Sequence, residues 1–389
     1  MKDAIKQERI RAVRRFLDGE KAEAICTSVG RSSSWLYKWV SRYDTTDAFW
    51  YENRPTVLSN AANRTPFEIE EIVKMVRLNL YNQDLFCGAQ AILWELEDLG
   101  VKPLPSLRTI NRILNRNGLT HRRTGRYEPK GTPYPKLPAL LPNQTHQMDM
   151  VGPCYLTGPI RFYGLNAIDA ATARCGLHSS LSKSGQDVLA GVWSIWSRLG
   201  LPDNLQIDNA MSFFGSPKYP RTTSQFIRLC LHYGVEPWFI PMSEPWRNGI
   251  IEQFNDHYQQ KFLGKVLMST TDELRSGTLA FEQRHNSKYR YSKLGGKTPL
   301  KALAATQTKL KFPSQEESPH HRLEKPEAGR YHLVRLIRSD LKLNIFGELF
   351  TVPPELKLEY VVATIDVKEQ KLKLFLDKTQ VDEHEYKMR

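Results

Sequence analysis

Gln206-Ile207-Asp208-Asn209-Ala210 and Pro245-Trp246-Arg247-Asn248-Gly249-Ile250-Ile251-Glu252-Gln253-Phe254-Asn255 bound the stretch around which this chain is organised. The first segment reads as an apolar strand that ends in an acid followed by a turn residue, so Asp208 lies at the carboxyl end of a strand. In the second, Asn248-Gly249 reads as a turn. Ile250, Ile251, Phe254, Tyr258 and Phe262 then recur at helical spacing and put Glu252 in the first turn of an amphipathic helix. Asp149, within the strand-like His146-Gln147-Met148-Asp149-Met150-Val151, adds a third carboxylate. Two strands and a helix delivering acids to one point make a hard, oxygen-rich site suited to Mg²⁺.

In this order of parts the chain resembles the Asp-Asp-Glu transposases and retroviral-type integrases, most closely the bacterial insertion-sequence transposases with an integrase catalytic core. The resemblance runs over nearly the whole chain. It implies an RNase H-like core in which Asp149, Asp208 and Glu252 are the catalytic and metal-binding triad. It also implies two Mg²⁺ ions, replaceable by Mn²⁺, and a reaction that nicks element ends and joins their 3′ ends to target DNA. Ala210 departs from the family, which commonly has Gly there, and so does Asp256, where a basic residue is often found.

Many integrase-type enzymes place about 35 residues between the second Asp and the Glu, a count that selects Glu244; for Glu252 it is 43. Context reverses the choice. Glu244 precedes Pro245, which disfavours helical backbone and leaves that carboxylate on a loop. The excess of residues is assigned to Gly215–Thr222, a basic, Pro-containing insertion after Asp208. Asn255 and Gln259 share the helix face of Glu252 and are candidates to touch the DNA end. Asp169, on the second core strand, reads as a supporting acid.

A length of 389 residues with 40% apolar content suggests two to four domains, and a net charge of +13 with pI near 9.4 points to a polyanionic partner. Five cysteines show no paired spacing, so neither a zinc knuckle nor a disulfide framework is indicated, and the pattern suits small buried residues in a reducing cytoplasm. No apolar run reaches the length of a membrane span.

Residues 1–52 read as a helix-turn-helix domain. Its third helix, Ser32 to Tyr43, turns Leu36, Trp39 and Val40 inward and leaves Arg31, Ser33, Ser34, Tyr37, Lys38 and Arg42 for a DNA groove. Residues 53–118 read as a second such unit, with Ser106 as an N-cap and Arg108, Asn111, Arg112 and Arg116 off the apolar face. Two tandem readers suit a long terminal repeat. Residues 119–143 form a basic, Pro-rich linker in which Arg122, Arg123 and Arg126 would attract phosphate. Its prolines argue against a packed element.

The core, 144–312, reads as three successive strands followed by helix-strand alternation, an α/β fold with a mixed sheet; this RNase H-like order is taken partly from the family. A linker, 313–329, leads to short strands over 330–389 that suggest a small all-β SH3-like barrel. The fold class is therefore multidomain: all-α readers, an α/β core and a β-barrel. Expected partners are transposon terminal inverted repeats, target DNA and further copies of the chain, in the bacterial cytoplasm at the nucleoid and not at a membrane. Whether a helper protein takes part is left open. Two rivals are a DNA-binding protein with a retired core and an RNase H-like nuclease without strand transfer.

Overall fold

The first forty residues place apolar side chains at helical spacing, and three helices result: α1 (Lys2–Leu17), α2 (Ala22–Val29) and α3 (Ser33–Val40). Gly30 ends α2 in the left-handed region at φ 65°, a conformation that is costly for residues with a Cβ. Ser32 then caps α3 by accepting from the Trp35 N–H. Ala12, Val13, Ile25, Leu36 and Trp39 are buried, whereas Leu17, at the frayed end of α1, is 52% exposed. The computed structural model describes residues 2–53, 65–120, 133–215, 221–314 and 323–389. The chain divides into two compact units, Met1–Pro66 and Phe67–Arg389.

The second unit begins with α4 (Phe67–Asn82), α5 (Ala89–Asp98) and α6 (Leu107–Arg116). Val73, Ile92, Leu96, Ile110 and Ile113 form their core, and Tyr289, from far along the chain, is buried with them. The Tyr289 hydroxyl donates to the Asp84 carbonyl at 2.8 Å and Arg290 pairs with Asp98 at 2.7 Å. Helices α4–α6 therefore share their core with a residue of the 144–312 region.

Strands β1 (Thr145–Tyr155), β2 (Arg161–Asp169) and β3 (Cys175–Ser180) form an antiparallel meander. After α7 (Gly185–Leu199), β4 (Asn204–Ile207) lies parallel to β1. The short α8 (Met211–Phe214) and α9 (Gln225–His232) lead to β5 (Glu236–Phe239), parallel to β4. Val192, Trp196 and Phe226 seal one sheet face against Met148, Leu205 and Ile207. On the other, α10 (Gly249–Tyr258) and α11 (Thr271–Lys288) bury Ile251, Phe254 and Phe281 against Ile168 and Leu177. A last helix, α12 (Pro299–Ala304), is capped by Thr298. The expected α/β core with its mixed sheet is the fold observed. All five cysteines are free.

The C-terminal strands are β6 (Arg330–Leu336), β7 (Lys342–Ile345), β8 (Glu348–Thr351), β9 (Tyr360–Asp366), β10 (Lys371–Leu376) and β11 (Thr379–Glu385). Strand content matches expectation, with β11 additional. The pairings do not by themselves confirm an SH3-like barrel. β6 adds to β5 in parallel through Trp238↔His332 and Phe239↔Leu333, giving one sheet in the order β11-β10-β9-β6-β5-β4-β1-β2-β3, with β7–β8 as a separate hairpin.

His146 and His285 are fully buried; each donates Nε2–H to an oxygen, Asn143 Oδ1 at 3.0 Å and the Ala173 carbonyl at 3.1 Å. Burial pushes His146 down to about 3 and His285 to about 4. In the unfolded chain each titrates near ~6.5, so below that pH the unfolded state binds more protons and stability falls, by up to about 1.4 kcal/mol per pH unit for each ring. Thermal melts followed by circular dichroism should therefore show Tm dropping from pH 7 to pH 5, less steeply below about pH 6, where the half-buried Asp149 carboxyl, pushed up to about 6, takes up a proton in the folded state. A flat Tm would contradict two rings held neutral.

Candidate active site

The β1–β4 register joins the two aspartates. Gln147 and Gln206 are parallel partners, and Asp149 and Asp208 each lie two residues further along, on the same sheet face. Neighbouring strands run ~4.8 Å apart, so the two acids emerge side by side, Asp149 from the middle of β1 and Asp208 just past the end of β4.

Glu252 arrives from the other layer. Pro245–Asn248 forms a single 3₁₀ turn that feeds directly into α10, and Gly249 has ordinary helical backbone at φ −62°, so the expected Asn-Gly turn is a helix entry. Three buried amides hold that entry down. Gln147 Oε1 accepts from the Ile250 and Ile251 N–H groups at 3.0 and 3.1 Å, satisfying two donors of the first turn. Asn248 Nδ2 donates to the Met148 carbonyl at 3.0 Å, and Gln206 Nε2 donates to the Arg247 carbonyl at 2.9 Å. The helix that carries Glu252 is thus fastened to both aspartate strands. Sequence reasoning passed over these amides; the available signal was a polar residue two before each acid in an otherwise buried strand.

Electrostatics also connects the acids. Burial, first, and then the charges of Asp208 and Glu252 push Asp149 up to about 6, although its carboxylate accepts from the Met150 N–H at 2.8 Å and from Asn255 Nδ2 at 2.9 Å. Burial raises Asp208, whose Oδ1 accepts from the Ala210 N–H. Burial and then Asp256 raise Glu252. No neighbouring cation contributes to any of the three shifts. Among the described residues no set of three or more His, Cys, Asp or Glu side chains is arranged to hold a metal ion. The donor chemistry nevertheless fits a hard divalent cation: three carboxylates with raised proton affinity and no neighbouring cation among the causes.

Other acids are accounted for. Asp169 is buried and accepts from the Ala171 and Thr172 N–H groups and the Thr172 hydroxyl, which closes the β2–β3 turn. Glu244 accepts from the Tyr360 hydroxyl at 2.8 Å and from Arg247 Nε at 2.8 Å, and the Arg247 guanidinium lies 4.1 Å from the Tyr134 ring centroid. Tyr134 also packs its ring against Tyr360, so this end of the linker is packed despite its prolines. Arg335, buried on β6, was not anticipated. It donates to Asn209 Oδ1 at 2.9 Å and to the Ile240 carbonyl at 3.1 Å, bracing the residue next to Asp208.

Of the expected DNA contacts, Ser33, Ser34, Tyr37 and Lys38 are exposed on α3. Arg31 is exposed and pairs with Glu8 at 2.8 Å, while Arg42 is half-buried with its guanidinium 5.1 Å from the Trp39 ring. Arg108, Asn111 and Arg112 are exposed on α6. Arg116 differs from expectation: its Nε donates to the buried Glu70 at 3.0 Å, because a carboxylate in the α4–α6 core needs a cation. Asn255 also differs, since its amide is engaged with Asp149 and Asn166 rather than turned outward. Gln259 is exposed at the start of a π-helical turn, Gln259–Leu263. Arg122, Arg123, Arg126 and most of the expected insertion after Gly215 lie outside the described residues. No helix among the described residues is long and apolar enough to cross a membrane.

Fold and site together define a protein with an integrase core domain and a helical DNA-binding module. Residues 233–299, which include Glu252, match the family model of the integrase core domain, and residues 6–48 match that of a homeodomain-like domain. The chain thus carries matches to both parts. Among solved structures it is similar to the HTLV-2 integrase catalytic core domain in complex with magnesium (18% identity, 43% of this chain and 99% of that one, TM-score 0.33). It is also similar to a chain of the simian T-cell lymphotropic virus intasome in complex with PP2A regulatory subunit B56 gamma (12%, 75% and 88%, 0.38). A third is the catalytic core domain of BIV integrase (15%, 42% and 94%, 0.32).

Replacing Gln147 by Leu keeps the volume and strips the acceptor from two helix N–H groups. It should cost about 2 kcal/mol in urea unfolding, since a buried unsatisfied donor costs ~1–3 kcal/mol. A loss under about 0.5 kcal/mol, the range of ordinary surface substitutions, would show that the latch is not a stabilising contact.

Proposed function

We propose that the protein is the transposase of a bacterial insertion sequence. It binds the terminal inverted repeats, cuts a phosphodiester bond at each end and joins the freed 3′-hydroxyls to target DNA, acting as a homo-oligomer assembled on DNA. The observation that carries this reading is the β1–β4 register, with Asp149 and Asp208 side by side beneath the latched first turn of α10.

Asp149, Asp208 and Glu252 would hold two divalent cations, Mg²⁺ with Mn²⁺ as a substitute. When bound, these would supply the charge that stabilises oxygens developing on the phosphodiester and lowers the pKa of the attacking group. The residues of the chain do the rest. Asn255 keeps Asp149 aimed, Gln147 and Gln206 keep Glu252 over the strand ends, and Arg335 keeps the Asp208 loop seated. One set of carboxylates serves water first and the 3′-hydroxyl second, and no side chain need form a covalent bond to DNA. The exposed faces of α3 and α6, with the basic linker, would read and track the element end.

Glu252→Gln should reduce Mg²⁺-dependent cleavage and joining by at least ~10³-fold, about 4 kcal/mol at 1.36 kcal/mol per decade, as should Asp149→Asn and Asp208→Asn, while end binding stays near wild type. Glu244→Gln should remain active. The reverse outcome for the two glutamates would overturn the assignment, and binding without cleavage by the unaltered chain would favour the retired-core reading.

Deleting residues 1–66 removes one compact unit, whereas cutting at 120 would also uncover Tyr289. The shorter deletion should lower discrimination between end and random DNA, measured by competition at fixed salt, and leave weak, salt-sensitive binding. Undiminished discrimination would place the reader elsewhere.

A further inference from the structure

Asn166 lies on β2 directly opposite Asp149, and it is fully buried. Its Nδ2 donates to Asn255 Oδ1 at 2.9 Å, and Asn255 Nδ2 in turn donates to Asp149 Oδ2 at 2.9 Å. Asn166 Oδ1 has no hydrogen-bond partner.

This arrangement is expensive as packing alone. Asn166 is fully buried, and an unpaired buried acceptor costs ~1–3 kcal/mol that packing alone does not offset. What the amide provides is polarity. A primary amide presents either its oxygen or its NH₂ to a neighbour, and the two orientations have nearly the same shape. By donating to Asn255 Oδ1, Asn166 forces the Asn255 oxygen toward β2 and its NH₂ toward Asp149. Turned the other way, Asn255 would set a carbonyl oxygen against a carboxylate that already faces two other acids.

We propose that Asn166 is a positioning residue for Asp149, acting through Asn255 to hold that carboxylate in the orientation that ligates a divalent cation. The proposal rests on the metal role given to Asp149 above. Partners that orient a metal ligand without touching the metal typically change metal affinity 10–100-fold when removed.

The test is Mn²⁺ and Mg²⁺ binding by titration calorimetry on the full chain, with thermal melting in parallel. Asn166→Leu should weaken binding at least about tenfold, with a cooperative melt showing that the chain still folds. Asn166→Ser, too short to reach Asn255, should do the same if leucine does not fit. In an Asn255→Ala background, Asn166→Leu should have no further effect on affinity, because the route is already cut. Unchanged affinity in Asn166→Leu and Asn166→Ser, or independent losses that multiply in the double variant, would overturn the proposal while leaving the metal site standing. If the wild type binds no better than Asp149→Asn, the metal-site reading fails, and this proposal with it.

Discussion

Three buried side-chain amides, Gln147, Gln206 and Asn248, are the contacts on which the site depends. Each occupies a place where an apolar residue would bury more favourably. They persist because an amide can both donate and accept, and the entry to α10 offers both kinds of unsatisfied group: first-turn N–H donors at Ile250 and Ile251 and a carbonyl at Arg247. Satisfying them from β1 and β4 fixes the distance between the helix and the sheet as well as its rotation. Hydrophobic burial of Ile251, Phe254 and Tyr258 supplies adhesion, which is non-directional; the amides supply the angle at which Glu252 meets the aspartates.

The C-terminal strands serve the same end from the opposite side. Because β6 continues the sheet from β5, Arg335 reaches back to Asn209 and the Ile240 carbonyl, and Tyr360 on β9 reaches Glu244. Burial pushes the Arg335 guanidinium down to about 10, so the cost of placing a cation there is real, and it is met by oxygens belonging to the two loops that flank the site. Tyr134 stacks into this cluster under Arg247, so the path from the upstream helices to the core passes a contact beside the segment that delivers Glu252.

Much of this was legible from sequence because the signals are local. The cap at Ser106, the amphipathic stripes of α3 and α10, and the successive strands of the core each follow from one short stretch, and all occur in the structure. What was not legible depends on partners distant in sequence. That β6 would also join β5 is decided by which exposed edge is available, a property of the assembled sheet. Arg116 looks free on a helical projection and is drawn to Glu70 only because α4 buries that carboxylate. Asn255 reads as an outward residue at helical spacing from Glu252, yet its amide is taken up by β1 and β2.

The two glutamates illustrate how such partner accounting separates what spacing cannot. Counting residues from Asp208 favours Glu244, and counting is blind to what each carboxylate touches. Glu244 has a tyrosine hydroxyl and a guanidinium on it, so its charge is already compensated and its position is fixed by structure. Among the described residues no hydrogen bond or ion pair reaches Glu252; its neighbours raise its proton affinity and do nothing to stabilise its charge. A carboxylate in that condition is unfavourable as scaffolding, since its half-buried charge destabilises the fold it sits in unless a cation arrives. Asp149 and Asp208 share the condition, raised by burial without a compensating cation. Three acids left without a compensating cation in a chain whose overall charge is strongly positive, while Glu244 nearby is fully paired, is a distinction that no count of residues along the chain can make.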